Sequence, residues 1–272
     1  MECALPLLKF RCPDLDRHFS GHGYCVTPLL DAAGVRRLED CWASRADVSL
    51  QAPYAVSLAS PSMRYRVAMS NAVTREIAPL LAPLLPDARL VYAGFACKRA
   101  SEPASAMPLH QDPAFVDEML WASGNIWIAL RDVGPEDGPL WVVPGSHRLN
   151  RGWRAFNQPF AYPALESRLR DMAVPLYMRR GEAVIFPHSL CHFSPPNRSA
   201  LPRLAAGGLL VQAGAPLHYC FADPDDRAHI AVYDFAPRDF LRQPVSGRPS
   251  TGIPHIRPAM VAPPDAGGFP AA

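Results

Sequence analysis

From residue 23 onward, apolar positions come in short clusters separated by proline and glycine. The spacing inside each cluster indicates its element. Tyr24, Cys25 and Val26 form a brief extended run that closes at Thr27-Pro28. Asp31 then stands as an N-cap, and Val35, Leu38 and Trp42 recur at three- and four-residue intervals, which predicts a helix. A second helix is predicted over Asn71–Leu81, interrupted by Pro79 and ended by Pro83 and Pro86. After that the period changes. The runs Leu90–Ala96, Gly124–Leu130, Leu140–Val143, Ala183–Phe186 and Leu204–Val211 are short, apolar and bounded by turn residues, so they read as strands. Several such strands in succession predict an antiparallel sandwich or barrel. Ala164–Met172 reads as a helical insertion among them. Arg242–Ala272 is proline-rich and aperiodic, and is expected to be an extended or disordered tail. No internal repeat and no linker divides the chain. The expectation is one mostly β domain over residues 1–240, with helices packed outside a core of about 88–215 and a tail over 241–272.

Composition narrows the function classes. The chain has 272 residues, 31 of them proline, and strand punctuation and the tail account for much of that excess. A formal net charge of +2 offers no basic surface for nucleic acid, and none is expected as a partner. No run of about 18 apolar residues exists to span a membrane. The N-terminal stretch has a short apolar run but lacks the basic segment of a secretory leader. The seven cysteines (Cys3, Cys12, Cys25, Cys41, Cys97, Cys191 and Cys220) are odd in number and contain no C-x-x-C pair. They suggest a reducing cytoplasm rather than a disulfide framework. All but two of the 27 basic residues are arginine, lysine occurring only at Lys9 and Lys98.

The chemistry-bearing residues cluster in two stretches. His110-Gln111-Asp112 holds a His-x-Asp pair, and on a strand residues two apart share a face, so the imidazole and the carboxylate can converge on one ion. The stretch Gly181–His192, read as a second strand, supplies His188 and His192 as candidates for a third ligand, four residues apart and so on one strand face. Two histidines and one carboxylate leave coordination positions open, a set that suits non-haem Fe(II). A short His/Asp pairing alone is weak evidence; a histidine bonded near a turn is the plainer reading. His147 follows a Pro-Gly turn and is expected to be structural. Trp127 lies on a strand and either packs in the core or points into a pocket. Arg64 and Arg66, taken as sharing a strand face, suit either a substrate carboxylate or exposed ion pairs, and Asp117–Ser123 is a candidate lid.

Taken together, the ordered motifs resemble the phytanoyl-CoA dioxygenase family of Fe(II)/2-oxoglutarate oxygenases. The resemblance rests on Gly23-Tyr24, Lys98, His110-Gln111-Asp112, Asn125–Leu130, Gly138–His147, Gly181–Phe186, His192–Asn197 and Arg203, in order over roughly residues 20–215. It implies a double-stranded β-helix (jelly-roll, cupin-like) core. It implies His110, Asp112 and His192 as iron ligands, with Arg203 and Ser194 binding the far carboxylate of 2-oxoglutarate. Lys98 falls where the family often places a polar or basic residue facing the other end of that co-substrate. His192 is preferred over His188 because it opens the His-x-Ser-x-x-Asn string. The activity implied is oxygen-dependent hydroxylation of a small-molecule substrate. Asp112 argues against halogenation, since related halogenases replace this carboxylate by Gly or Ala. The readings from other classes are a non-catalytic 2-oxoglutarate or metal sensor of the same fold, and a cupin-type enzyme that does not use 2-oxoglutarate. Within the oxygenase class, desaturation, cyclisation and epimerisation remain open.

Overall fold

The structure, a computed structural model, describes residues 6–45, 50–149, 152–249 and 252–259. Helices α1 (Pro13–His22), α2 (Ala32–Ala43) and α3 (Met63–Leu84) lie in the N-terminal third, and a short α4 (Glu166–Asp171) sits between later strands. The strands in the first half are β1 (Cys25–Pro28), β2 (Tyr54–Val56), β3 (Ala88–Lys98), β4 (Met107–His110) and β5 (Ser123–Ala129). There follow β6 (Leu140–Val142), β7 (Val174–Leu176), β8 (Glu182–Pro187), β9 (His192–Ser194) and β10 (Arg203–Gln212). The last are β11 (Leu217–Asp223), β12 (Asp226–Phe235) and β13 (His255–Pro258).

A six-stranded sheet runs β1-β8-β5-β10-β3-β2, and a four-stranded sheet runs β4-β9-β6-β7; all the pairings are antiparallel. Side-chain alternation gives the larger sheet two different faces. Outward, Cys25, Phe95, Ile126, Ile128, Ala183, Ile185 and Ala206 pack against Phe19, Val35, Leu38, Met69, Val73 and Ile77 of the helices. Inward, Trp127, Ala129, Val184 and Phe186 meet Leu140, Val142, Val174 and Leu176 of the smaller sheet. The two packed sheets form the double-stranded β-helix that the sequence implied. Two glycines in β10 permit close strand approach: a Cβ on Gly207 or Gly208 would run into the carbonyl oxygen of Ile126 or Tyr92. A third sheet, β11-β12-β13, closes one end over an aromatic cluster of Phe115, Tyr219, Tyr233 and Phe240.

All five expected strands are present, and Asp31 caps α2 by accepting from the Gly34 amide at 2.7 Å. The second predicted helix begins eight residues earlier than expected, at Met63, after a Ser62 cap, and ends at Leu84 with Pro79 and Pro83 inside it. Arg66, Met69, Ser70, Val73, Ile77 and Leu81 form its buried stripe, whereas both prolines are exposed. The carbonyls left without an amide partner therefore face water. This corrects the strand reading of Arg64-Tyr65-Arg66, which occupies the first turn of α3. Arg66 is 1% exposed and holds two backbone carbonyls, Ser60 O through Nη1 at 2.5 Å and Leu241 O through Nε at 3.1 Å. Gly181–His192 is likewise not one strand: β8 ends at Pro187, a turn follows in which Leu190 N donates to Pro187 O, and His192 opens β9 in the other sheet.

Part of the expected tail adds β13 to the third sheet, and Val245 N donates to Leu58 O while Tyr219 OH donates to Gly247 O. Residues 260–272 of that tail, and the first five of the N-terminal apolar run, lie outside the described residues. No described helix is long and apolar enough to cross a membrane. Replacing Arg66 by Ala removes a buried cation from two carbonyls and should lower stability by about 2–3 kcal/mol. Urea denaturation measures that loss, and limited proteolysis should show earlier cutting after residue 241; unchanged digestion would mean that Arg66 does not hold this segment.

Candidate active site

His110 closes β4 and His192 opens β9, and the two are cross-strand partners with ring centroids 4.2 Å apart. Each imidazole turns Nδ1 towards the carbonyl two residues before it, His110 to Pro108 at 2.8 Å and His192 to Leu190 at 2.9 Å. A carbonyl only accepts, so Nδ1 carries the proton and Nε2 is left with its lone pair. Both Nε2 atoms face Asp112, with His110 3.6 Å from Oδ1 and His192 3.8 Å from Oδ2. The ligand atoms of the three residues all lie within 4.8 Å of one another, so one metal ion about 2 Å from each can join them. Two lone pairs and a carboxylate turned towards one point form a donor set that fits a divalent metal ion.

Strand pleating alone does not build this convergence. His110 is the last residue of β4, and Asp112 lies beyond it in a loop whose backbone is fixed at both ends. Asp112 N donates to His188 O at 2.9 Å, and Asp112 O accepts from Arg154 Nε at 2.9 Å. Its carboxylate accepts from Asn125 Nδ2 at 2.7 Å. Burial would raise the Asp112 carboxyl, but the neighbouring His192 and His110 outweigh it and hold the group well below the usual carboxylate range. Burial, with His110 nearby, pushes His192 down to about 4. For His110 burial acts the same way, but the attraction of the nearby Asp112 carboxylate overcomes it and the net shift is upward.

His188 is fully buried and its Nδ1 meets Ser123 Oγ at 2.9 Å. Burial pushes it down to about 3, and it falls outside the ligand group. The turn after β8 breaks the alternation that would have put it on one face with His192. His147, 1% exposed, packs over Gly23, whose φ of 80° and missing Cβ let the ring approach. Within Asp117–Ser123, the candidate lid, Glu118 and Ser123 are tied inward while Met119 and Leu120 are exposed. Glu118, 2% exposed, accepts from Arg154 Nη2 at 2.8 Å and from Ser123 Oγ at 3.2 Å. Arg154 thus joins this segment to Asp112. Glu118, Arg154, Asn125 and Asn197 are the polar residues for which spacing gave no role; a charged residue in an apolar run and an inward-phase asparagine were their visible signals.

A second group lies on the inward face of the large sheet. Arg203, Lys98 and Tyr54 are cross-strand neighbours on β10, β3 and β2. Arg203 is 2% exposed, donates Nη1 to Gly138 O, and places its guanidinium carbon 5.2 Å from the centroid of the Trp127 ring. Its Nε is buried without a hydrogen-bond partner, and no carboxylate pairs with it among the described residues. Burial lowers it to about 10, so it stays charged. A buried guanidinium with no anion fits an anionic ligand. Lys98, fully buried, donates Nζ to the carbonyls of Ser194 and Pro195. Its amine therefore ties down the chain leaving β9. Ser194 is 4% exposed, two residues after His192 on the same strand.

The stretch between Ser194 and Arg203 is fixed by Asn197, which is fully buried. Its Nδ2 donates to Leu201 O at 2.8 Å and Arg99 O at 3.0 Å, and its Oδ1 accepts from Ser199 Oγ at 2.8 Å. A separate cleft of about 560 Å³, lined by Trp42, Tyr65, Cys97 and Arg99, opens on the helix side of the sheet, away from the histidines.

The family model for phytanoyl-CoA dioxygenase (PhyH) matches residues 51–205, more than half of the chain. The chain belongs to the phytanoyl-CoA dioxygenase family. A mouse (Mus musculus) family member, phytanoyl-CoA dioxygenase domain-containing protein 1, is 34% identical over 115 residues, covering 38% of each chain. The match thus spans just over a third of the length of the curated relatives. Among solved structures, EctD from S. alaskensis superposes with a TM-score of 0.56 at 18% identity, covering 78% of this chain and 83% of its own. HygX from Streptomyces hygroscopicus, solved with nickel, 2-oxoglutarate and hygromycin B bound, gives 0.53 at 14%, covering 75% and 88%. At such identities these structures show a shared fold alone.

Two outcomes follow from the buried polar groups. Burial, reinforced by Arg203, lowers the Lys98 amine from 10.5 to about 6. Between those values the unfolded chain binds a proton that the folded chain does not, so this residue's contribution to stability rises with pH across the interval. Lys98→Met should flatten that part of the profile of Tm against pH; an unchanged slope would show that Lys98 stays protonated. Asn197→Ala leaves several backbone groups unpaired and should lower stability by about 2–4 kcal/mol in urea denaturation.

Proposed function

We propose that this chain is an Fe(II)- and 2-oxoglutarate-dependent dioxygenase, folded as one oxygenase domain, that hydroxylates an unactivated C–H bond of a small metabolite. The observation that carries the reading is the convergence of His110 Nε2, His192 Nε2 and the Asp112 carboxylate within 4.8 Å. Two neutral imidazoles and one carboxylate, with positions left open, form the facial set used by non-haem Fe(II) oxygenases. Iron bound there supplies the redox chemistry by which O2 and 2-oxoglutarate together oxidise a C–H bond, releasing succinate and CO2.

The protein's own residues bind, orient and exclude water. Pro108 O and Leu190 O hold the two imidazoles in the tautomer that presents Nε2. Arg203 takes the far carboxylate of 2-oxoglutarate through its unpaired edge, and the Ser194 hydroxyl assists it. Trp127 stacks on the guanidinium and walls off one side of the co-substrate site. Lys98 supports that site by holding the Ser194 and Pro195 carbonyls, which fixes the start of the segment leading to Arg203. Beside His110 a recess of about 30 Å³, room for one or two waters, is bordered by Gln111, Arg154, Gln158 and Phe160, a mixed polar and aromatic wall.

The relatives support a small-molecule substrate. EctD has been solved with 2-oxoglutarate and 5-hydroxyectoine, and HygX with hygromycin B. The carboxylate at Asp112 favours hydroxylation over halogenation. The six described cysteines are free, which agrees with a cytoplasmic enzyme.

Anaerobic addition of Fe(II) and 2-oxoglutarate should produce a weak visible charge-transfer band. Asp112→Ala combined with His192→Ala should abolish it. No band in the wild type, or an undiminished one in the double variant, would sink the assignment. Arg203→Ala should raise the KM for 2-oxoglutarate by about 10–100-fold while leaving metal affinity within twofold or so, the loss of a charge-assisted hydrogen-bonded pair. Succinate release measured against co-substrate concentration, together with metal titration, checks it. Turnover without 2-oxoglutarate would point to a cupin-type enzyme instead.

A further inference from the structure

Asn125 lies in the middle of β5, opposite Leu209 of β10 and Phe186 of β8. Asparagine is disfavoured inside strands, and both neighbours here are apolar. Its Nδ2 donates to Asp112 Oδ2 at 2.7 Å, much closer than either histidine nitrogen comes to that carboxylate. The Asp112 backbone has little freedom, because its amide is bound to His188 O and its carbonyl to Arg154 Nε. The soft coordinate left is rotation of the carboxylate about its last bond, which in aspartate is broad. Asn125 sets that rotation.

We propose that Asn125 is a positioning residue: by holding Oδ2 it leaves Asp112 a single oxygen, Oδ1, to offer the metal. One coordination position thereby stays open for oxygen beside a chelating co-substrate. The inference rests on the metal-centre reading above and adds the device that limits the protein to three donor atoms. A carboxylate free to turn at a cation binds through either one oxygen or two. If Asp112 used both, the protein would supply four donors, and a co-substrate that chelates through two atoms would fill the last two of six positions, with none left for oxygen. A residue that merely stiffened the pocket would act differently. Its loss would weaken metal binding and leave the uptake of a further small ligand by the loaded protein unchanged.

Co(II) in place of Fe(II) gives a redox-inert probe whose d–d absorption reports the donor set. Wild type and Asn125→Leu, similar in volume but without a donor, are titrated by calorimetry with Co(II), then with 2-oxoglutarate, and then with azide, a small anion that takes the last open position. The proposal expects Asn125→Leu to bind Co(II) at least as tightly as wild type, with an altered d–d band. The azide affinity of its Co(II) and 2-oxoglutarate complex should fall about tenfold, at the low end of what partners of metal ligands cost when removed. Unchanged azide affinity, or weakened Co(II) binding with azide uptake unaffected, would overturn it. If thermal melting shows that apo Asn125→Leu is unfolded, Asn125→Val, which suits a strand and has no donor, is held to the same criteria. A wild type whose Co(II) binding survives Asp112→Ala would instead refute the metal centre itself.

Discussion

A carboxylate held in its charged form inside a β-barrel is the constraint around which this structure is arranged. Taking Asp112 out of water is costly unless donors and opposite charge stand ready. The fold provides them from several elements: Asn125 from the central strand, the backbone grip of His188 and Arg154, and two imidazoles from the facing sheet. Arg154 in turn carries the buried ion pair with Glu118, so the charge balance of the centre extends into the segment that covers it. Charge and shape are solved together, and each neighbour of Asp112 restrains a different part of it.

The large sheet makes this possible by being two surfaces at once. Its outward phase is mostly apolar and anchors three helices, which frees the inward phase to carry Lys98, Arg203, Trp127 and Asn125. Such a face would be a liability in an open sheet. Here the smaller sheet covers it, and its polar groups meet carbonyls, one another and the candidate ligand space. The third sheet and Phe240 then shut one end with aromatic side chains.

Much of this was legible in the chain. Strands β3, β5, β6, β8 and β10 followed from apolar runs between turns, whereas the long β11 and β12 did not, and α2 followed from its cap and spacing. His110, Asp112 and His192 followed from the motif string that marks the family. What escaped has physical reasons. Helix α1 announces itself through Pro13, two acids and Gly23, but its apolar content is thin, so periodicity does not reveal it. Strands of three or four residues such as β7 and β9 exist because of their partners rather than their own pattern. Arg64–Arg66 looked extended because an arginine beside a tyrosine suits a strand, whereas tertiary contacts to Ser60 and Leu241 made Arg66 part of a helix's buried stripe. The polar supports Asn125 and Arg154 act across distances in sequence that no local spacing encodes.

The knot at Asn197 has a consequence for selectivity. It rigidifies the passage from His192 and Ser194 to Arg203, so the distance between the candidate metal and the buried guanidinium belongs to the backbone and not to mobile side chains. In the proposed oxygenase that passage works as a caliper. A dicarboxylate one carbon shorter or longer than 2-oxoglutarate would reach the ion or the arginine, but not both in register. Discrimination by chain length would then be built into a turn that touches neither end of the molecule it measures.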